Sequence, residues 1–426
     1  MTSGPTRRQM LGATVAAGAL AVPAAGLADA IPIGGAASDD EAYWRGVAAQ
    51  FDLPKGIVQL ENGNWGAMAR PVLAAYQRKL ARVNADTSFY SRRGFGADAM
   101  AVRDRVAADL EVSPEEIAFT RGATEALHCL IGGYNRLRPG DQLLYADLDY
   151  DSMQTAFRSV ARRRGIGAIK IDLPEPATHQ GVIDAYAAAL AAHPKVRLML
   201  LTHVSHRTGL VVPVREIVAM ARTRGVDVIV DSAHAWGQLD FKLADLGADF
   251  VGFTCQKWIG APLGVGVMHI RRERLDAIDF SLGEDPGDRD TIQQRIHTGT
   301  TDMAALLTVS DALDFHQRIG VRAKQARLRH LRDHWAEQVR GLPGIEVLTP
   351  SDPRMTCALT SFRMTGRTSI ADNRALAKQL LERFGIFTVD RDGPARGACI
   401  RVTPGIFTSS DDVERLVAAL RTLSGS

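Results

Sequence analysis

Cysteine is scarce: Cys129, Cys255, Cys357 and Cys399 lie far apart and form neither a CxxC pair nor a zinc pattern. Buried free thiols are the plain reading of these four, and no metal site is expected. A basic stripe is missing too. The net charge is +3 over 426 residues, and the arginines behind it are scattered, which argues against a nucleic-acid partner. Lysines are few. No segment fits a Walker A motif or GxGxxG, so ATP and nicotinamide dinucleotides are not expected. There are no internal repeats and no low-complexity block. After the first thirty residues, no apolar run is long and charge-free enough to span a membrane.

What is present begins with an address. Thr6-Arg7-Arg8-Gln9-Met10-Leu11 is a twin-arginine pattern. An alanine-rich run over 11–27 and the small-x-small site Ala28-Asp29-Ala30 follow. Together they predict a cleaved Tat signal over 1–30 and a periplasmic protein. The alternative, a short membrane anchor, suits a run this short and glycine-diluted poorly. The Tat route carries folded proteins, which suits an enzyme that loads its cofactor before export.

With 46% hydrophobic residues the chain can bury one large core and a smaller one. A short amphipathic helix is expected over 38–50, a Gly/Asn-rich turn at Glu61-Asn62-Gly63-Asn64-Trp65-Gly66, and a helix over 71–84 with proline at its start. Between 117 and 270, short apolar runs at 117–119, 142–145, 167–171, 197–202, 226–230, 250–254 and 265–270 alternate with helical patterns. That alternation predicts an α/β fold with a mostly parallel sheet covered on both faces. Beyond 302 the pattern becomes α+β, with a long helix over 304–340, strands at 361–364 and 400–402, and helices over 369–384 and 411–423. The expected division is an N-terminal segment over 31–70 that contributes to the small domain and the active site, a large domain over 71–303, and a small one over 304–426.

Lys257 carries the main chemical signal. It sits in Gly252-Phe253-Thr254-Cys255-Gln256-Lys257-Trp258-Ile259-Gly260, an apolar stretch just after an expected strand. A lysine desolvated there has a depressed pKa and offers a neutral amine, as Schiff-base chemistry requires. A snorkelling lysine at a strand end is the competing reading. Upstream, the strand at 226–230 runs into Asp231-Ser232-Ala233-His234, placing a carboxylate where α/β sheets hold ligands. An N-cap or a cation ligand would look the same. A third element, Thr120-Arg121-Gly122-Ala123-Thr124-Glu125, follows a short strand and opens a helix, an arrangement suited to a phosphate.

In order, these segments, followed by His297-Thr298-Gly299-Thr300 and Cys399-Ile400-Arg401-Val402, resemble the class V aminotransferase family of fold-type I pyridoxal-phosphate (PLP) enzymes. The likeness covers nearly the whole mature chain and is nearest to the isopenicillin N epimerase-like branch, which includes a Tat-exported periplasmic enzyme of pyoverdine maturation. The resemblance implies a seven-stranded-type sheet in a large domain, a smaller α+β C-terminal domain and a homodimer. It makes Lys257 the Schiff-base lysine and Cα-proton shuttle. Asp231 becomes the partner of the pyridinium nitrogen, and His234 a neighbour of the ring oxygen or the lysine. Gly122, Ala123, Thr124, Thr254 and Gln256 would hold the phosphate. Tyr150 would stack on the ring, and Thr300 would reach the phosphate of the neighbouring subunit. Arg401, with Asn64, would bind substrate, the arginine clamping an α-carboxylate.

Two departures from the family pattern matter. His206 stands where many relatives carry asparagine or a small residue, so it is a candidate acid/base near neutral pH or else a core histidine. The span 385–398 lacks the nucleophilic cysteine that desulfurases of the family carry before the arginine, which disfavours sulfur transfer. The expected function is therefore aminotransferase-like transformation of an amino acid or of an amino-acid moiety in a secreted peptide metabolite. Epimerisation at Cα, a carbon–sulfur lyase, and a non-catalytic binding module of the same fold are the alternatives.

Overall fold

A computed structural model describes residues 36–285, 287 and 290–425. The expected signal at 1–30 lies outside them. No helix among the described residues is long and apolar enough to cross a membrane.

The chain enters through α1 (Glu41–Ala48), which Asp40 caps by accepting the Tyr43 amide at 3.1 Å and which buries Trp44 and Val47. Strand β1 (Val58–Gln59) leads to α2 (Arg70–Arg93) and α3 (Phe95–Leu110). The sheet region then runs β2 (Ile117–Thr120), α4 (Ala123–Gly133), β3 (Gln142–Ala146), α5 (Asp151–Arg164), β4 (Gly167–Ile171), α6 (His179–Ala192), β5 (Val196–Thr202), α7 (Val214–Thr223), β6 (Asp227–Asp231), β7 (Phe250–Thr254) and β8 (Gly266–Ile270). These seven strands form one sheet in the order β2-β8-β7-β6-β5-β3-β4, with only β8 antiparallel to its neighbours. Runs such as Leu198-Met199-Leu200-Leu201 and Val228-Ile229-Val230 are buried on both faces, as a helix-covered parallel sheet requires.

The remainder comprises α8 (Met303–Ile319), α9 (Val321–Val339), β9 (Ile345–Val347), β10 (Thr360–Met364), α10 (Ile370–Phe384), β11 (Ile386–Phe387), β12 (Val389–Arg391), β13 (Cys399–Val402) and α11 (Ser410–Ser424). Strands β12-β13-β10-β9 make a second, antiparallel sheet, and β1 pairs in parallel with β11. The segment before residue 70 is thus stitched to the C-terminal region.

Two expectations need correcting. The helix expected over 304–340 is two helices, because Gly320 adopts φ +84 and ends the first. The seam expected between 303 and 304 does not separate the cores. Ala305, Leu307, Val309, Ala312 and Leu313 of α8 join the large sheet-centred cluster, whereas Leu331, Trp335, Ala336 and Val339 of α9 join the small-sheet core.

Candidate active site

Parallel register brings the carboxyl ends of β5, β6 and β7 together. Thr202 lies opposite Asp231, and Asp231 opposite Gly252. Such ends are where open α/β sheets hold ligands, and a cavity of about 850 Å³ opens there. Asp231 and His234 line it from the end of β6. Thr254, Gln256 and Lys257 do so from the end of β7, and Gly122, Ala123 and Thr124 from the start of α4. Tyr150 and His206 close one side, and Arg401 and Asn64 the side formed by the small sheet and the N-terminal turn. Of the residues singled out from sequence, Thr300 alone stands elsewhere, exposed on the loop before α8.

Lys257 Nζ is 2.8 Å from His234 Nε2. Burial lowers the lysine pKa to about 7, with the Asp231 charge opposing that fall. Burial first, and the neighbouring Lys257 second, push His234 well below its ordinary value, so its imidazole is neutral. Asp231 is held by the Ala233 amide at 3.0 Å, while burial raises its pKa. The turn after α1 locks the lysine loop in place: Gly66 N donates to Gln256 O at 2.9 Å, and a Cβ on Gly66 would fall 1.9 Å from Lys257 O.

The end of the cavity at the start of α4 is built from close backbone contact. Thr254 Oγ1 donates to Gln256 Oε1 beside the first turn of α4. A Cβ on Gly266 would lie 2.5 Å from Gly122 Cα, so only glycine lets β8 run beneath that turn.

His206 lines the cavity beside Tyr150. It is buried, its ring meets Tyr150 edge-on at 5.0 Å between centroids, and burial drives its pKa to about 3 despite the Asp151 carboxylate 3.6 Å from its Nε2. Burial therefore favours the neutral imidazole near pH 7. Cys129 departs from expectation, because it lines the cavity half-buried; burial holds its thiol up at about 11, far from thiolate. Cys399 is buried in β13, with its thiol likewise pushed up to about 11. Neither offers a sulfur nucleophile.

Two charged residues escaped the sequence reading. Glu61 is buried beside Arg401 and accepts from its Nη2. Arg391, at the end of β12, lines the cavity with its Nη2 3.3 Å from the same Glu61 oxygen. The only sequence sign of Glu61 is a charge within an otherwise Gly/Asn-rich turn. Burial brings Arg401 down to about 10, against the pull of Glu61.

The residues present fit PLP. A desolvated lysine, a buried carboxylate at a strand end and a glycine-lined helix start surround one cavity. His206 Nδ1, His234 Nδ1 and Arg401 Nε, all in lining residues, are buried without a hydrogen-bond partner among the described residues.

The profile of the Aminotransferase class-V family matches residues 67–416. The isopenicillin N epimerase of Amycolatopsis lactamdurans is 31% identical over 399 residues, covering 89% of this chain and 98% of that protein. Its namesake from Streptomyces clavuligerus is 29% identical over 400 residues, covering 90% and 99%. Among solved structures, a C-DES mutant with glycine covalently linked to the PLP cofactor superposes with TM-score 0.75 at 22% identity, covering 87% of this chain and 98% of that one.

Proposed function

Because this chain belongs to the class-V aminotransferase family of PLP-dependent enzymes, we propose that it transforms an amino acid, free or as the amino-acid moiety of a secreted peptide metabolite, with PLP joined as a Schiff base to Lys257. The observation that carries this reading is the desolvated Lys257 amine, 2.8 Å from a neutral His234, on a cavity it shares with Asp231 and Arg401. Bound PLP supplies an electron sink that acidifies the bonds at the substrate Cα. Asp231 would pair with the ring nitrogen and favour its protonated form. Thr124, Thr254, Gln256 and the start of α4 would hold the phosphate, and Tyr150 would stack on the ring. Arg401 takes the substrate carboxylate, which points the amine at Lys257. Lys257 would carry the Cα proton, and His234, 2.8 Å from its amine, orients it.

Transamination or a related reaction needs only this one base. Epimerisation is the second reading, favoured by the two epimerase relatives and by Tyr150 and His206 lining the same cavity as Lys257. His206 or Tyr150 would be the second group, opposite Lys257. Sulfur transfer is disfavoured by the un-ionised Cys129 and Cys399. We further read the enzyme as an exported homodimer whose exposed Thr300 completes the neighbouring site.

The test is an absorption spectrum of the purified mature protein beside Lys257→Ala, before and after amino acids are added. A visible band in the wild type that the variant lacks supports the reading. Absence of PLP from both overturns it. Accumulation of keto acid then marks transamination, and inversion without keto acid marks epimerisation.

A further inference from the structure

The carboxylate clamp is already occupied by the protein's own carboxylate. Arg401, 1% exposed, gives Nη1 to His206 O at 2.8 Å and Nη2 to Glu61 Oε1. Its Nε, on the same edge as Nη2, is buried without a hydrogen-bond partner among the described residues. Glu61 thus half-fills the fork that a carboxylate would grip with both oxygens. Arg391 Nη2 stands 3.3 Å from that same Glu61 oxygen, and its Nε also lacks a partner among the described residues. The second oxygen, Oε2, lies 3.2 Å from the Thr403 hydroxyl, whose one proton it shares with Leu60 O at 3.1 Å. Gly63 keeps the guanidinium face clear, since a Cβ there would meet Arg401 Cζ at 3.0 Å.

Charge counting points the same way. Two guanidinium groups face one internal carboxylate, which leaves one positive charge for one arriving monoanion. A buried cation left unpaired is costly, and Glu61 spares Arg401 that state while the site is empty. Resting on the reading that Arg401 takes the substrate carboxylate, we propose that Glu61 is a carboxylate place-holder that passes from Arg401 to Arg391 when the substrate binds. The pair would thereby select substrates presenting a single carboxylate at the reacting amino acid. Glu61 and Arg391 are then specificity-determining residues that act by competition and by accepting the displaced charge. No bond to substrate is made or broken by either.

Titration calorimetry of the PLP-loaded protein with propionate, and with propionamide as the neutral control, tests this. Removing the competitor in Glu61→Gln should tighten propionate binding roughly three- to tenfold. Removing the acceptor in Arg391→Met should weaken it by a similar factor, and that loss should vanish in the Glu61→Gln background. Such opposite signs with full coupling are not what a merely structural ion pair produces. If Glu61→Gln does not fold, Glu61→Asp, which keeps the charge but draws it back by one methylene, is expected to tighten binding in the same direction. Weaker or unchanged binding in the Glu61 variants, or an Arg391 effect that persists without Glu61, overturns the place-holder. Arg401→Met separates the parent reading. If its propionate affinity equals that of the wild type, Arg401 is not the clamp, and both readings fall together.

Discussion

Lys257 Nζ and His234 Nε2 are 2.8 Å apart, and neither is charged at rest above neutral pH. Burial makes a cation expensive here for both groups, so the pair meets as amine and imidazole. The site holds its nucleophile ready at a cost to the stability of the cofactor-free fold.

That cost has a pH signature. The folded pKa of Lys257, about 7, lies below its ordinary 10.5, so between these values the unfolded chain binds more protons. Stability of the cofactor-free protein therefore rises with pH across that window. Lys257→Met should be the more stable protein below about pH 7, by a few kcal/mol given that the cavity admits water. The gap should close as pH approaches 10.5. Paired thermal melts of the two cofactor-free proteins check this, and a gap that does not change with pH would refute it. With PLP joined to Nζ the amine is no longer free, and the wild-type slope should flatten.

His206 gives the opposite kind of prediction. With its pKa at about 3, it holds no proton to lose near neutrality. Substitution by asparagine should leave the limbs of the pH–rate profile between about pH 6 and 8 in place, while KM rises as the Tyr150 wall loses its edge-on partner. A limb that disappears in His206→Asn would mean that the imidazole titrates in the working enzyme.

Much of this was readable in sequence because the chemistry is local. Asp231 to His234, Thr254 to Lys257 and Gly122 to Thr124 each follow a short apolar run, and a strand end in a parallel sheet points its residues into the ligand crevice. What stayed hidden depends on pairing across distance. Glu61 and Arg401 meet only because β1 joins β11 and Glu61 bridges to Thr403, registers that no periodicity reveals. Arg391 is one arginine among many until the small sheet turns it into the cavity. The break between α8 and α9 hides for a different reason: apolar spacing continues through Gly320, and only a positive φ stops the helix. The helix expected to end near 84 does break close by, at the non-helical Thr87 (φ 44), beyond which a second helical stretch runs to Arg93.

The turn at Gly66 makes the last prediction, which separates positioning from chemistry. Gly66 does not itself line the cavity, yet its backbone bonds Gln256 O, and a Cβ would overlap Lys257 O at 1.9 Å. That contact is backbone to backbone, so no side chain can swing aside. Gly66→Ala must push the lysine loop back, at a cost of about 1–3 kcal/mol of overpacking. The displaced loop carries Gln256 and Lys257 together, so PLP should be retained poorly and the visible band lost on dilution. Gly46→Ala is the matched control, because a Cβ there meets nothing within 4 Å and alanine suits the middle of α1. It should melt at or above the wild-type temperature with its PLP retained. If Gly66→Ala keeps PLP as well as Gly46→Ala does, the N-terminal turn is a bystander and the lysine loop is held by the sheet alone.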